Sequence, residues 1–527
     1  MKKIFTLFSA MLMSIASFAT TYNGTLTVTV NGEVSEQPTS VSIDEVNGNY
    51  KLSINNFMLV AGETPLPVGN IVIDHVPGAV NGGLTTLCTN QEIQIPAGNV
   101  EGIAEDEWLG PLLGNVPVEM NARFTGEGYV VTDIHINMVE LDQVIDVKFE
   151  NVGNHFQMPN SDFETWSDKN KAPKHWHGFE SVTGSLSGSA KSTTKLVSSN
   201  NVRPGSKGLT SAVVTSTKVF TVIANGTMTN GRLAAGSMSA TNSANHSETN
   251  LSSTDVDANG DPFATPMYAK PDSVKFWMRF TQAKAQASYP YAAFNAVITD
   301  GTYYQDPENK TYTNKVAVAA PNKADMTVGD WRLVSCPFDY ASYAANGAEA
   351  KAILLTVSTN ATPGKGSYSN GVADSVYVDD LELVYLAGIK SISFKGQALD
   401  LATIQTTGIE LAADEAVSAD DFEVVKEGED AKVTKLVEAT ADGYVAVITA
   451  VSADLKTQVA YEINIKKPAA PVLKGDINGD GVLDVADASA LIDMVLNSGT
   501  CTEVADVNGD GALDVADVTE LITLILG

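Results

Sequence analysis

The stretch Asp476-Ile-Asn-Gly-Asp-Gly-Val-Leu-Asp-Val-Ala-Asp487 determines the structure of the C-terminal part of this chain. A second copy, Asp506-Val-Asn-Gly-Asp-Gly-Ala-Leu-Asp-Val-Ala-Asp517, begins 30 residues after the first. Ca²⁺ prefers oxygen ligands, and a loop of about twelve residues supplies them from positions 1, 3, 5, 7, 9 and 12, with glycine at position 6. Both copies fit this pattern, because position 7 offers a backbone carbonyl and the other positions carry oxygen-bearing side chains.

The two loops therefore predict two calcium sites. The predicted ligands are Asp476, Asn478, Asp480, Val482, Asp484 and Asp487 in the first loop, and Asp506, Asn508, Asp510, Ala512, Asp514 and Asp517 in the second. Position 12 is Asp rather than the Glu of an EF-hand. Pro468 and Pro471 also leave no entering helix before the first loop.

Each loop is followed by apolar residues at helical spacing. These residues are Ala488, Leu491, Ile492, Val495 and Leu496 after the first loop, and Val518, Leu521, Ile522 and Ile525 after the second. Residues 475–527 contain nine Asp and two Glu but no Lys or Arg, a formal charge of −11. Because these carboxylates repel one another and so short a segment has little core, we expect the segment to fold only with calcium.

This duplicated loop and helix resembles a type I dockerin module over the whole of residues 475–527. The resemblance implies a cohesin-type protein as partner, contacted at loop positions 10 and 11 and along the helices. Those positions are Val485, Ala486, Val515 and Ala516, so the contacts would be apolar rather than hydroxyl-mediated. The similarity of the two repeats also implies that the module could bind its partner in two orientations.

Residues 20–150 alternate between apolar and polar side chains with the period of a β-strand. The stretches Tyr22-Asn-Gly-Thr-Leu-Thr-Val-Thr-Val and Gly48-Asn-Tyr-Lys-Leu-Ser-Ile-Asn-Asn-Phe show this pattern, and turn dipeptides such as Asn31-Gly32 separate the strands. We expect an antiparallel meander that closes into a barrel. The region resembles calycin-like barrel domains, which implies a lipocalin-type barrel that holds either a small apolar ligand or only its own side chains.

Residues 155–386 are rich in Ser, Thr, Asn, Gly and Ala. The opening Asn160-Ser-Asp-Phe-Glu-Thr-Trp166 and the closing Val376-Tyr-Val-Asp-Asp-Leu-Glu-Leu-Val-Tyr385 resemble the edges of jelly-roll, carbohydrate-binding-type β-sandwiches. The whole region is similar to the "putative carbohydrate metabolism" domain family. Strand periodicity places Trp277 among polar side chains on one face of Val274–Phe280, where it either stacks on a sugar or is covered by a neighbouring loop. Trp176 is a second candidate for carbohydrate contact.

The remaining segments connect or export these domains. Residues 387–467 resemble an immunoglobulin-like spacer domain, and residues 468–474 form a proline-containing linker. Residues 1–19 have the features of a signal peptide: Lys2 and Lys3 precede an apolar stretch, and Ser17 and Ala19 are small. We therefore expect a protein that is secreted or located at the cell surface or in the periplasm. The fold class predicted for the whole chain is mainly β and multidomain, with a small α-helical C-terminal module.

Composition and motifs restrict the function. The formal net charge of −30 disfavours nucleic acid as a partner, because phosphates would be repelled. After the N-terminal stretch, no segment has the apolar length of a membrane-spanning helix. No Gly-x-Ser-x-Gly, phosphate-binding glycine loop or zinc-protease motif occurs. We therefore predict a protein that is not an enzyme.

The sequence as a whole favours a secreted, glycan-associated protein that binds carbohydrate through residues 155–386 and docks onto a cohesin-type partner through its calcium-dependent C-terminus. Two alternatives remain at this point. One is a glycan-active enzyme whose site lies in residues 155–386. The other is a carrier of a small ligand through the N-terminal barrel.

Overall fold

The computed structural model describes residues 20–59, 65–81, 83–125, 129–138, 143–151, 156–168, 172–191, 196–219, 222–440, 442–468 and 473–527. The expected signal peptide and residues 469–472 of the expected linker lie outside these residues. The chain divides into two compact units. The larger comprises residues 1–403, 418–437 and 446–462, and the smaller comprises residues 404–417, 438–445 and 463–527.

The N-terminal strands form one antiparallel sheet. They are β1 (Thr20–Val30), β2 (Glu33–Val46), β3 (Asn49–Leu59), β4 (Leu66–Val76), β5 (Gly78–Asn81), β6 (Leu84–Ile93), β7 (Val116–Thr125), β8 (Val130–Met138) and β9 (Gln143–Asn151), with 3-10 helices at Glu105–Glu107 and Gly110–Leu112. The nine-stranded order is β4-β3-β2-β1-β9-β8-β7-β6-β5, so consecutive strands are neighbours except β4 and β5, which are the two edge strands, and β1 pairs with β9. The predicted antiparallel meander is confirmed.

Alternate residues of these strands fill the concave side of the sheet. Leu26, Leu52, Ile73 and Phe149 are each at most 1% exposed. Gly24 is required where β1 meets β9, because a Cβ atom there would lie 2.4 Å from the carbonyl oxygen of Glu150. The period-two pattern in the sequence therefore places the apolar side chains as predicted, in the interior of the barrel domain.

The central region is a β-sandwich. Its elements are α1 (Ser187–Lys191), β10 (Leu196–Ser199), β11 (Ser211–Thr215), β12 (Thr217–Val219), β13 (Val222–Ala224), β14 (Thr227–Thr229), β15 (Arg232–Ala235), β16 (Asn245–Thr249), β17 (Thr265–Pro266), β18 (Ser273–Thr281), β19 (Ala293–Thr299), β20 (Tyr304–Asp306), β21 (Lys315–Ala319), β22 (Gly329–Pro337), β23 (Ala352–Ser358), β24 (Tyr368–Ser369), β25 (Val372–Ala373) and β26 (Ser375–Val384), with 3-10 helices at Phe179–Ser181, Lys323–Met326 and Ala341–Asn346. One sheet has the order β10-β11-β26-β18-β22, and the other has the order β14-β23-β19-β21 with β17 beside β23. A smaller sheet has the order β15-β16-β20.

The two larger sheets share a hydrophobic core. Val274, Phe276, Met278 and Phe280 of β18 are all fully buried, which confirms the predicted inward face of this strand. The ring of Phe276 stacks on Phe294 of β19, with a distance of 4.1 Å between ring centroids. Aromatic packing across the interface thus joins the two layers.

The next region, residues 388–466, also consists mainly of β-strands. It contains β27 (Gly388–Phe394), β28 (Gln397–Ala398), α2 (Ile404–Thr407), β29 (Ile409–Glu410), β30 (Phe422–Glu427), β31 (Lys432–Thr440), β32 (Gly443–Val451) and β33 (Gln458–Lys466), with a 3-10 helix at Ala419–Asp421. The sheets have the orders β28-β27-β30 and β29-β33-β32-β31. The C-terminal module contains two helices, α3 (Val485–Leu496) and α4 (Val515–Leu526), each following one acidic loop.

Replacing Phe276 by Ala tests the importance of the stacked pair between the sheets. We expect the opening free energy of β18 to fall by about 3–5 kcal/mol, because a buried Phe→Ala change loses apolar burial and leaves a cavity. Hydrogen exchange of the β18 amides measures this change. Lys275→Ala, on the outer face of the same strand, should change it by less than about 1 kcal/mol. Equal effects of the two substitutions would contradict the assignment of the faces.

Candidate functional site

Three carboxylates of the first acidic loop converge. One oxygen each from Asp476, Asp480 and Asp487 lies within 4.8 Å of the others. The residues come from loop positions 1, 5 and 12, so the chain has to turn back on itself to bring them together. Gly481 makes this possible at position 6 with a φ of +82°, a conformation that side-chain-bearing residues rarely adopt.

Asp487 organises the first loop although its side chain is fully buried. Its Oδ1 accepts hydrogen bonds from the backbone N–H groups of Ile477 and Asn478 at 2.8 and 3.1 Å, and its Oδ2 accepts one from Asp484 at 3.0 Å. Burial opposes ionisation, but these donors together hold the pKa of the Asp487 carboxyl below its ordinary value. The position-12 carboxylate is therefore an anion held in place by backbone amides.

Asp476 and Asp480 are also positioned by backbone amides. Asp476 accepts from Gly479 at 2.9 Å and from Gly481 at 2.8 Å. Asp480 accepts from Val482 at 2.9 Å and from the side chain of Asn478 at 2.9 Å. The ligand oxygens are thus held close together by the loop itself.

The second loop repeats the hydrogen bonds to the position-12 carboxylate, whereas the close cluster of three carboxylates occurs, among the described residues, in the first loop. Asp517 is fully buried and accepts from the backbone of Asn508 at 3.2 Å and of Asp514 at 2.9 Å. Gly511 donates to Oδ2 of Asp506 at 3.1 Å, but the buried Oδ1 of Asp506 has no hydrogen-bond partner. An orphaned buried carboxylate oxygen at loop position 1 fits a metal ligand, because a cation would satisfy it. The residues present therefore suit calcium in both loops.

The position-9 carboxylates have a second role that the loop pattern did not reveal. Asp484 and Asp514 are the N-cap residues of α3 and α4, and each accepts from a backbone N–H two residues later at 2.7 Å. Such caps satisfy donors at the helix N-terminus and favour negative charge there. The position-9 carboxylate of each loop therefore also caps the N-terminus of the helix that follows. The position-7 residues Val482 and Ala512 are exposed.

The core of the module is small. Its buried members are Ala488, Leu491, Ala505, Val507, Val518 and Leu521. Gly475 has a φ of +94°, and a Cβ atom there would lie 2.5 Å from Leu521. The chain entering the first loop is thus packed closely against the second helix.

The helices also expose apolar side chains in two matched stripes. One stripe is Val485, Ile492 and Leu496, exposed by 72%, 40% and 76%, and the other is Val515, Ile522 and Leu526, exposed by 68%, 41% and 80%. The spacing of seven and eleven residues puts each set on one helix face. The predicted partner-contact residues Val485 and Val515 begin the stripes, and the neighbouring Ala486 and Ala516 are exposed as well.

Comparison with known families agrees with this geometry. Residues 474–526 match the model of the dockerin type I domain. The C-terminal module is a type I dockerin. Type I dockerins bind calcium, and in this dockerin the aspartate cluster lies where that function requires it. Residues 18–152 match the model of the calycin-like beta-barrel domain.

Other comparisons give only distant likenesses. No curated protein matches the chain. One similar solved structure is a "putative outer membrane protein" from Bacteroides fragilis NCTC 9343, at 9% identity, covering 64% of this chain and 96% of that chain with a TM-score of 0.17. Another is the N-terminal CBM22-1-CBM22-2 tandem domain of Xyn10C from Paenibacillus barcinonensis, at 10% identity, covering 70% and 97% with a TM-score of 0.20. TM-scores this low carry no argument about the chain.

Within the part of the chain that the structure describes, the helices are too short or too polar to cross a lipid bilayer.

The prediction that Trp176 contacts carbohydrate is wrong. Its side chain is 1% exposed and packs against Phe163, with 5.2 Å between ring centroids. Its indole N–H donates to the backbone oxygens of Pro159 and Asn160 at 3.1 and 3.2 Å. A tryptophan whose faces and polar atom are already engaged is a core residue and offers no surface to a sugar.

Trp277 lies on the outer face of β18 and is partly exposed. The guanidinium group of Arg203 lies 5.3 Å from the centre of its ring, so a neighbouring loop covers part of it. Trp331 of β22 and Tyr377 of β26 flank this strand and contact each other edge to face at 6.2 Å. Trp331 and Tyr377 were missed as candidates, although their positions in alternating strands could have indicated an outward direction.

Replacing Asp480 by Asn tests the first calcium loop. The amide keeps an oxygen that can accept from Val482 but removes the charge that a hard cation requires. We expect the affinity of one calcium site to fall by about tenfold or more, measured by titration calorimetry on the whole chain. Asp493→Asn, an exposed change on α3 outside the loop, is the matched control and should leave binding unchanged. Unchanged affinity in Asp480→Asn would contradict the ligand assignment.

Proposed function

We propose that this protein is an exported, non-catalytic adaptor that binds carbohydrate through its central β-sandwich and docks onto a cohesin-type protein through its dockerin. The observation that carries the proposal is the dockerin with its two organised loops and two matched apolar stripes. In this proposal each loop holds one calcium ion. The signal-peptide pattern of residues 1–19 supports export to the periplasm, the cell surface or the medium.

The exposed stripes support docking through the helices. Water-exposed Val, Ile and Leu side chains arranged in a contiguous row favour burial against a partner. Because the two stripes have the same residue spacing, a partner that fits one stripe also fits the other after a half-turn of the module. Calcium would control docking because the loops fix the first residue of each helix.

Aspartate in place of Val485 and Val515 tests the two-orientation model. A carboxylate buried against an apolar partner is costly, so we expect the double variant to weaken cohesin binding by about 100-fold or more. Each single variant should lower the affinity for cohesin only about twofold, because the other binding orientation remains available. Surface plasmon resonance against a panel of cohesin domains measures this.

Leu524→Asp is the matched control for these variants. Leu524 is 50% exposed and lies about half a helical turn from Val515 in angle, so the same chemical change occurs on the opposite face of α4. Large losses in both single variants would contradict two orientations. Binding that persists in the double variant, or in chelator, would contradict docking through these stripes.

The outer face of the sheet β10-β11-β26-β18-β22 supports carbohydrate binding. Trp277, Trp331 and Tyr377 present aromatic surface among charged side chains, and Leu333 beside them is 50% exposed. Aromatic rings offer apolar area to the C–H faces of a sugar, while charged and amide groups can bind its hydroxyls. Arg279 lies over the Tyr377 ring at 5.5 Å and contributes such a donor.

Trp277→Ala and Trp331→Ala test this surface on a glycan array. We expect each substitution to weaken binding to the recognised glycans by about tenfold, since truncating a tryptophan in an interface commonly costs more than ~1 kcal/mol. Tyr268→Ala, at an exposed aromatic residue in the segment before β18, is the control. Unaltered binding in both tryptophan variants would contradict the site. Product formation from a bound glycan would support the alternative of a glycan-active enzyme.

A further inference from the structure

The central sandwich contains a cleft of about 400 Å³. Its floor is the side of strands β14, β23 and β19 that faces away from the sandwich core. On these strands Met228, Phe294 and Val357 are buried in the core, whereas the alternate residues line the cleft. The floor residues are Thr227, Thr356, Ser358, Ala293 and Asn295. The volume is within the range of roughly 300–1,000 Å³ that is usual for small-molecule sites.

The walls of this cleft are aliphatic. They are formed by Phe179 of the 3-10 helix Phe179–Ser181, Leu186 just before α1, Val222 of β13, Leu233 of β15 and Pro363. Such a lining favours burial of an apolar ligand, because apolar surface of both ligand and cleft is removed from water. Among the described residues of the lining, Phe179 is the single Phe, Tyr or Trp, so the cleft lacks a stacking surface of several large rings.

The polar groups of the floor are paired with one another. Thr227 and Ser358 share a hydrogen bond of 3.0 Å, and Thr356 pairs with Ser247 of β16 at 2.6 Å. The amide of Asn295 donates to Oδ2 of Asp306 at 2.9 Å. A sugar needs many partners for its hydroxyls, and this floor has already used much of its hydrogen-bonding capacity internally. The cleft therefore suits a mainly apolar molecule better than a carbohydrate.

The side-chain oxygen of Asn225, a lining residue, has no hydrogen-bond partner among the described residues. The side-chain N–H of Asn225 donates to the carbonyl of Asn360 at 2.9 Å, but its buried Oδ1 has no hydrogen-bond partner. A buried acceptor without a partner is unfavourable, and a ligand N–H or O–H would satisfy it.

Charge is disfavoured in the cleft. No Lys or Arg occurs among the described lining residues, and the imidazole of His246 is already paired with the carboxylate of Glu248, so an anionic ligand would have to compete for its counter-ion. Burial raises the pKa of the Asp306 carboxyl, although Asn295 donates to it. His246 has both ring nitrogens engaged, by Ser243 and by Glu248.

We propose that this cleft binds a small, neutral, mainly apolar molecule that carries one N–H or O–H donor, and that Asn225 Oδ1 accepts from that donor. The site is separate from the carbohydrate-binding surface proposed on the outer face of the other sheet. It also differs from the interior of the barrel domain, so a carrier function would reside in the sandwich.

A pair of dyes tests the proposal on the whole chain. N-Phenyl-1-naphthylamine is neutral and apolar with one N–H, and 8-anilinonaphthalene-1-sulfonate has the same rings with an added sulfonate. We expect saturable, one-to-one binding of the neutral dye, followed by its fluorescence, and binding of the sulfonate at least about tenfold weaker. Equal binding of the two dyes would overturn the proposal, since it would indicate unspecific apolar surface.

Two variants locate the bound dye. Ala293→Phe places a bulky ring on the cleft floor and should lower the affinity for the neutral dye by about tenfold or more. Asn225→Ala removes the unpaired acceptor and should lower the affinity for the neutral dye by about threefold to tenfold. Ala345→Phe, at an exposed alanine of the same domain, is the matched control and should bind as the parent protein does.

Each outcome is decisive for the cleft. Circular dichroism of every variant establishes that the sandwich is folded, and Asn225→Ala remains informative if Ala293→Phe is not folded. Dye binding that neither cleft variant alters would overturn the proposal and place the dye elsewhere. Trp277→Ala should keep full dye binding, and its loss there would also contradict a separate site.

Discussion

The dockerin depends on bringing many carboxylates together within residues 475–527, which contain no Lys or Arg. Backbone hydrogen bonds stabilise part of this negative charge. Amide N–H groups donate to Asp476, Asp480 and Asp487 in the first loop, and to their counterparts in the second. Residues 475–527 carry a formal charge of −11, and bound cations would reduce the repulsion among these carboxylates. Calcium is suited to this role because its ligands are oxygens and its coordination number is high.

In the dockerin, some of the loop carboxylates that suit calcium also position the helices that carry the exposed apolar side chains. The carboxylates of Asp484 and Asp514 lie in the loops and also cap α3 and α4, so the arrangement of the loops sets where each helix begins. The helices bury only a few side chains, centred on Leu491 and Leu521, and leave two apolar stripes in water. The central sandwich, by contrast, buries many more apolar side chains than the dockerin does. It has an extensive aromatic and aliphatic core, and it presents an outer sheet face and a cleft to other molecules.

The parts of this structure that follow local rules were predictable from the sequence. The calcium loops, the two helices, the meander of the barrel domain and the inward face of Val274–Phe280 all arise from fixed residue spacing. Trp176 was misjudged because its burial depends on Phe163 and on backbone oxygens brought near it by folding. The cleft could not be predicted either, since its lining comes from segments between residues 179 and 364 that no periodicity connects.

Far-ultraviolet circular dichroism of residues 473–527, in chelator and after addition of calcium, tests the central claim most directly. The two helices comprise 24 residues, 12 in each, which is enough to dominate the signal of this fragment. If the acidic loops need the ion to form, the helical signal is weak in chelator and rises on addition of calcium. An equally strong helical signal in both conditions would show that the carboxylates do not depend on a cation, contrary to this account.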